Sequence, residues 1–265
     1  MTSDQAGGTD SEEQARRSAA ELGSAKTGRA PREPLPLWQE TIILLGTALV
    51  LAVIIKAVLV QAFYIPSESM EPGLVKNDRI LVQKWSSWFG GEPERGDVVV
   101  FEDPGGWLGA GESAGPTNPV AKALAKVGLF PSGGHLVKRV IGVPGDTITC
   151  CDAKGRISVN GVALDETSYV KQEAKVECAG PMTGNCKWSA GPVPKGHVFV
   201  MGDNRAHSAD STVHMCTAAA TDCVPGREFV SEDLIVGKVF LLLWPLGRFG
   251  TVDGGTVFAD VPDAS

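Results

Sequence analysis

This 265-residue chain has no dense cluster of basic residues: 24 Lys and Arg stand against 31 Asp and Glu, a formal net charge of -7. Nucleic-acid binding rests mainly on Lys and Arg meeting phosphates, so that class of partner is set aside. The six cysteines and four histidines contain no CxxC or HxxxH spacing. A zinc site helped by His207 and His214 is therefore the minor reading of those residues, and no metal or cofactor is expected. There is no internal repeat, which excludes solenoids and propellers. Long apolar runs are also scarce, and the single one present decides the class of protein.

That run is Thr41 to Val60, in which 16 of 20 residues are apolar and Lys56 carries the only charge. At about 1.5 Å per helical residue it spans the roughly 30 Å hydrocarbon core of a bilayer. Trp38 on one side and Phe63 with Tyr64 on the other suit interfacial belts, and Lys56 lies near enough to one end to snorkel. A buried soluble helix is the alternative. A cleaved signal peptide fits poorly, because the run sits behind a 37-residue polar tail and no small-x-small site follows it. The organisation expected is a disordered tail over 1–37, a transmembrane helix over 38–62, and an outer β domain over 63–265 with excursions at 102–134 and 150–195. Lys26, Arg29 and Arg32 precede the span, which puts the N-terminus in the cytoplasm. All six cysteines, Cys150, Cys151, Cys178, Cys186, Cys216 and Cys223, fall in the outer part, which suits an oxidising compartment. Spacing suggests pairs Cys178–Cys186 and Cys216–Cys223, but six cysteines allow about 15 connectivities.

The outer part reads as mainly β. Short β-branched runs begin at Arg79, Asp97, His135, Asp146, Arg156, His197 and Ile235, separated by turn signals at Pro144-Gly145, Asn160-Gly161 and Lys195-Gly196. One helix is expected there, Asn118 to Phe130, with an Asx cap and a proline in its first turn. The apolar run Val239 to Leu246 is too short to span a membrane and reads as a strand. Trp85, Trp88 and Phe89, next to Gly90-Gly91, suggest a membrane-dipping loop tip.

A serine hydroxyl is a weak nucleophile at neutral pH and needs a base within hydrogen-bond reach. "GESAG", with Ser113 at its centre, matches the nucleophile-elbow pattern but stands among Gly105, Gly106, Pro116 and Pro119, where no sharp strand-to-helix turn is expected. It reads as a surface loop. The second candidate is "YIPSESMEP", Tyr64 to Pro72, which sets Ser67 and Ser69 between two prolines just past the apolar run. Its partner lies in "HLVKRVIGVPGD", His135 to Asp146. Strand alternation there puts Leu136, Lys138 and Val140 on one face and Arg139 on the other. A dried face disfavours an ammonium, so Lys138 suits a general base. Periodicity alone favours solvated strand residues.

The conjunction of motifs overturns that. "IPSESMEP", "RGDVVVF" (Arg95 to Phe101), "KRVIGVPGD" (Lys138 to Asp146) and "GDNRAHSADS" (Gly202 to Ser211) follow the apolar run in this order. Together they resemble the boxes of bacterial type I signal peptidases, from the membrane segment to about Gly250. The resemblance implies a membrane-anchored serine endopeptidase with a Ser/Lys dyad on a signal-peptidase-like β fold. Its partners would be the lipid bilayer and the signal peptides of secreted preproteins, cut after small-x-small sites. Residue by residue it implies Ser69 as nucleophile, Lys138 as base, and Ser67 with the Ser69 backbone N–H as oxyanion hole. Ser208 would orient the lysine, Asp203 and Asp210 would support the site, and Ile65, Pro66 and Val137 would line shallow pockets. Ala206 and His207 stand where many members have Asp and Asn, and Thr212 where many have Arg. The missing arginine turns Asp210 toward Arg139 or Arg205 in this reading. His207 is expected at the surface. A self-cleaving Ser/Lys regulator and a catalytically silent membrane-tethered module are the rival readings.

Overall fold

The computed structural model describes residues 36–84, 91–108, 118–120, 133–171, 187–216, 223–252, 254 and 256–264, with the side chains of 54–58 left outside. Nearly all of the tail, the Trp85–Phe89 tip, Ser113, most of the helix expected from Asn118, and Cys178 with Cys186 lie outside the described residues. Two compact units divide at 48/49.

Helix α1, Leu37–Leu59, covers 23 residues with no proline inside. Its polar interruptions bond to their own backbone: the Thr41 hydroxyl donates to Leu37 O at 2.8 Å and the Thr47 hydroxyl to Ile43 O at 2.9 Å. Leu44, Leu45, Leu49, Val50, Leu51 and Val53 are all exposed, so the helix is apolar all round rather than striped. Among the described residues no helix is long and apolar enough to cross a membrane. The contiguous described side chains of α1 end at Val53, while its backbone continues.

The helix stops earlier than the expected boundary at residue 62. Val60–Tyr64 is strand β1, and it pairs antiparallel with β2, Arg79–Gln83. The segment "VQAFY" extends the apolar run, but its β-branched and aromatic residues find a hydrogen-bonded partner strand, and that pairing overrides helical continuation.

The remaining strands are β3 (Val98–Glu102), β4 (His135–Gly142), β5 (Ile148–Cys150), β6 (Ser158–Val159), β7 (Val162–Ala163), β8 (Trp188–Ala190), β9 (His197–Met201), β10 (Val230–Ser231), β11 (Ile235–Trp244) and β12 (Gly250–Thr251). The larger sheet runs β1-β2-β11-β3-β4-β9-β10, with β12 on β11, and the smaller runs β7-β6-β5-β8. Every pairing is antiparallel, so short connections suffice. In the turn between β6 and β7, Asn160 and Gly161 both take positive φ, 50° and 82°, the conformation that Asn-Gly favours.

Strand β4 is buried along both faces. Leu136 and Val140 pack with Phe101, Val198 and Val200, and Ile141 packs with Ile148, Phe199 and Met201. Val137 backs onto Ile65, Leu74 and Val100. A register shift between Val140 and Gly142 inserts Ile141 as a bulge, which is how consecutive residues both reach apolar surroundings. Burying each such side chain contributes about 1.5–3 kcal/mol. Cys216 pairs with Cys223 as spacing suggested, and Cys150 pairs with its neighbour Cys151.

Candidate active site

Strand β1 leads into the loop carrying Ser67 and Ser69, and the loop is pinned at both ends. Ile65 N donates to Asp78 O and Asn77 N donates to Ile65 O, each at 2.9 Å, while Leu74 N donates to Met70 O at 2.9 Å. Lys138, in the middle of β4 and paired with Val99 of β3, reaches this loop. Lys138 Nζ and Ser69 Oγ are hydrogen-bonded at 2.7 Å across 69 residues of sequence. Lys138 is 4% exposed and Ser69 5%. Both Lys138 and Arg139 are buried, because β4 is covered on both faces, so the solvated-strand alternative that periodicity alone favoured does not hold. Ser67 Oγ lies 3.2 Å from Ser69 Oγ on the open side of the loop.

The segment after β9 supports the loop from behind. Asn204 N donates to Ser69 O at 3.0 Å and its side-chain Nδ2 donates to Glu68 O at 3.1 Å. Asn204 is wholly buried, a second role beside the turn chemistry read from its sequence. Gly202 has no room for a side chain, since a Cβ there would sit 2.5 Å from Ser69 O and overlap the Ser208 side chain. Ser208 Oγ donates to Asp210 Oδ2 at 2.6 Å, and Gly202 N donates to the same oxygen at 2.9 Å.

Neither arginine turns to Asp210, which corrects that expectation. Arg139 makes a bidentate pair with Asp203, Nε to Oδ1 and Nη2 to Oδ2, both 2.8 Å, and donates Nη1 to Gly96 O at 2.7 Å. Burial works against the Arg139 charge, but the Asp203 carboxylate outweighs it and holds the guanidinium above its ordinary pKa. Arg205 pairs with Glu166 at 2.9 Å and 2.5 Å. The outer oxygen of Asp210 takes Thr212 instead, its N at 3.0 Å and its hydroxyl at 2.7 Å.

A strap over residues 166–171, absent from the sequence reading, ties the two halves of the site. The Arg139 guanidinium lies 4.1 Å over the Tyr169 ring, and Tyr169 Oη donates to Glu166 at 2.5 Å. Lys171 N donates to Asp203 O at 3.0 Å, and Lys171 Nζ donates to Glu71 at 2.9 Å. Burial, with the Glu166 charge adding to it, pushes the Tyr169 phenol up. Nothing local marks "ETSYVK" as part of a site; its role arises only where it touches the other two loops. Asn204 had a signal, its place inside "GDNRAHSADS".

Among the expected pocket residues, Ile65 is 2% exposed and belongs to the core, so it backs the loop instead of lining a surface. Pro66 is exposed and Val137 half-buried. A cleft of about 490 Å³ behind the loop, walled by Pro72, Leu74, Arg139, Tyr169 and Arg248 among others, includes neither Ser69 nor Lys138. His207 is exposed, while His214 stacks on Trp107 at 4.3 Å. With Cys216 bonded to Cys223, the zinc reading loses those ligands, and among the described residues no group of His, Cys, Asp and Glu is arranged to hold a metal.

A sequence model of the family described as "Signal peptidase, peptidase S26" matches residues 38–244. Signal peptidase I of Mycobacterium tuberculosis (strain H37Rv) is 38% identical over 247 residues, covering 87% of this chain and 81% of its own. Signal peptidase I U of Bacillus subtilis is 32% identical, covering 79% and 90%. A crystal structure of a signal peptidase I from Enterococcus faecalis V583 covers 56% of this chain and 96% of its own at 24% identity, with a TM-score of 0.28, and the assignment rests on the sequence relatives instead. By the span of the family match and the depth of identity, this chain belongs to the signal peptidase family, peptidase S26, and is a serine endopeptidase.

Proposed function

We propose that the protein cleaves N-terminal signal peptides from exported preproteins by a Ser69/Lys138 dyad, after small-x-small sites. The observation that carries the mechanism is the buried 2.7 Å contact between Lys138 Nζ and Ser69 Oγ. A neutral Lys138 amine takes the Ser69 proton as Oγ attacks the carbonyl carbon of the residue before the cut. The oxyanion that forms is held by the Ser69 N–H and the Ser67 hydroxyl, a donor of this kind contributing about 3 kcal/mol to the transition state. The Lys138 ammonium returns its proton to the departing amine, leaving an acyl-enzyme. Lys138 then deprotonates a water that attacks the ester, which frees the new carboxylate and restores Ser69.

The chain is read as single-pass in a bacterial cell membrane, with α1 spanning, the N-terminus cytoplasmic and the catalytic domain outside. The apolar character of α1 on all sides supports this. So does an exposed band in which Tyr64 of β1 and Trp244 of β11 flank Arg79 of β2, with Leu246 and Phe249 beyond. Aromatic side chains of this kind favour the headgroup region, which would bring Ser69 to the place where an inserted signal peptide emerges.

Substrates are read by size and by an extended backbone, because pockets walled by Pro66 and Val137 have little depth. Ala at positions -1 and -3 of a preprotein should support cleavage, Phe or Lys at -1 should block it, and Leu at -3 should slow it. The test is cleavage of a preprotein by detergent-solubilised protein with the cut mapped. Efficient cutting after a bulky residue would refute the pocket reading, and unchanged cleavage by Ser69→Ala would refute the dyad.

A further inference from the structure

Asp210 is a buried carboxylate, 1% exposed, whose hydrogen-bond donors are all neutral: Gly202 N and Ser208 Oγ on one oxygen, Thr212 N and Thr212 Oγ1 on the other. No arginine or lysine makes an ion pair with it among the described residues. A carboxylate inside the protein depends on such donors, because each one lost leaves an oxygen that water cannot reach. Two of the four come from Thr212, and only one of those two is a side chain.

We infer that Thr212 is a positioning residue for the dyad, acting on the Ser69 loop through Asp210, Gly202 and Ser208. With its outer oxygen occupied by Thr212, the carboxylate is held in one rotation, and its inner oxygen faces Gly202 N and Ser208 Oγ. The Ser208 proton is then committed to Asp210. Its remaining capacity is its lone pairs, so Ser208 Oγ is fixed by this one bond and can only accept from any further neighbour. Gly202 places Ser208 directly beside Ser69: a Cβ on Gly202 would meet Ser208 Cβ at 2.6 Å and Ser69 O at 2.5 Å. The Gly202 N–H that Asp210 accepts therefore fixes the backbone against which Ser69 O packs, and with it the hydroxyl that Lys138 Nζ meets at 2.7 Å. If Asp210 turns, Gly202 N and Ser208 Oγ lose their shared acceptor and the backbone behind Ser69 is free to shift. Thr212 thus anchors a chain of contacts that runs from Thr212 to Asp210, and from Asp210 through Gly202 and Ser208 to the Ser69 loop.

This rests on the Ser69/Lys138 reading, and the experiment separates the two. Full-length protein in detergent is assayed on a preprotein as wild type, Ser69→Ala, Thr212→Val, Thr212→Ser and Thr212→Ala, with thermal unfolding measured for each. Valine keeps the shape and loses the hydroxyl; serine keeps the hydroxyl. The expected result is a fall of about tenfold in kcat with KM unchanged for Thr212→Val, and recovery to within about twofold of wild type for Thr212→Ser. Should Thr212→Val not fold, Thr212→Ala against Thr212→Ser carries the same comparison. Wild-type kcat in the folded variant lacking the hydroxyl, or a serine variant as slow as that variant, would overturn the role of Thr212 while Ser69→Ala stays inactive. Continued cleavage by Ser69→Ala would overturn the dyad and this inference with it.

Discussion

At the scale of single residues, the site depends on one contact and on one missing side chain. Ser69→Ala and Lys138→Ala should each lower preprotein cleavage by on the order of a thousandfold or more, because nucleophile and base act as a unit in the proposed dyad. Circular dichroism should stay native-like, since neither residue belongs to the apolar clusters that hold the sheets together. Gly202→Ala should abolish activity: its Cβ would lie 2.5 Å from Ser69 O, and the serine loop would have to move. Crystallography or a cleavage assay of the folded variant distinguishes a displaced Ser69 from an untouched one. The serines and the lysine were legible because they sit in ordered motifs; Thr212 stood out only as a departure, and its new partner was not readable from that.

At the scale of elements, two segments converge on the residue after Gly202. Strand β4 supplies Arg139 on the face opposite Lys138, and the 166–171 strap supplies the Tyr169 ring beneath it. Removing one member of a buried ion pair leaves the other uncompensated, so Asp203→Asn should cost about 3 kcal/mol of stability. Turnover per folded molecule should change by much less than for Lys138→Ala, because the pair touches the loop's support and not the reacting atoms. Denaturant unfolding beside a cleavage assay checks this, and a stable but inactive Asp203→Asn would place Asp203 in the chemistry. The strands were readable from β-branched runs, and the Asn160-Gly161 turn from its dipeptide. The end of α1 was not, because "VQAFY" is as apolar as the helix before it and only the partner strand Arg79–Gln83 distinguishes the two.

At the scale of the whole molecule, the C-terminal residues close the small sheet onto the large one's turn. Arg95 donates Nε and Nη2 to the two oxygens of Asp146, both at 2.7 Å, and Nη1 to Val261 O at 3.3 Å. Asn160 Nδ2 donates to Asp146 at 2.8 Å and to Pro262 O at 3.0 Å. Burial pushes the Asp146 carboxyl up, but Arg95, the Val143 N–H and Asn160 outweigh it and hold it below its ordinary value. A carboxylate with a depressed folded-state pKa adds stability that is complete above the unfolded value of about 3.9 and is lost as pH falls through the folded one. Thermal stability should therefore decline below about pH 4, and Arg95→Gln should flatten that decline. An unchanged pH dependence in Arg95→Gln would show that this cluster does not set acid stability.

From the sequence alone came the apolar run, the mainly β character, the serine and lysine proposed as a dyad, and the motif order, because each is written in local composition or in short contiguous patterns. Pairings between distant segments are not local. That Lys138 lies 2.7 Å from a serine 69 residues away, that Arg139 prefers Asp203, and that Asp210 is held by Thr212 instead of a cation were all decided by the tertiary structure. The physical reason is burial: once β4 is covered on both faces, each charged or hydroxyl group on it must take whichever partner the packed strands and loops bring within reach.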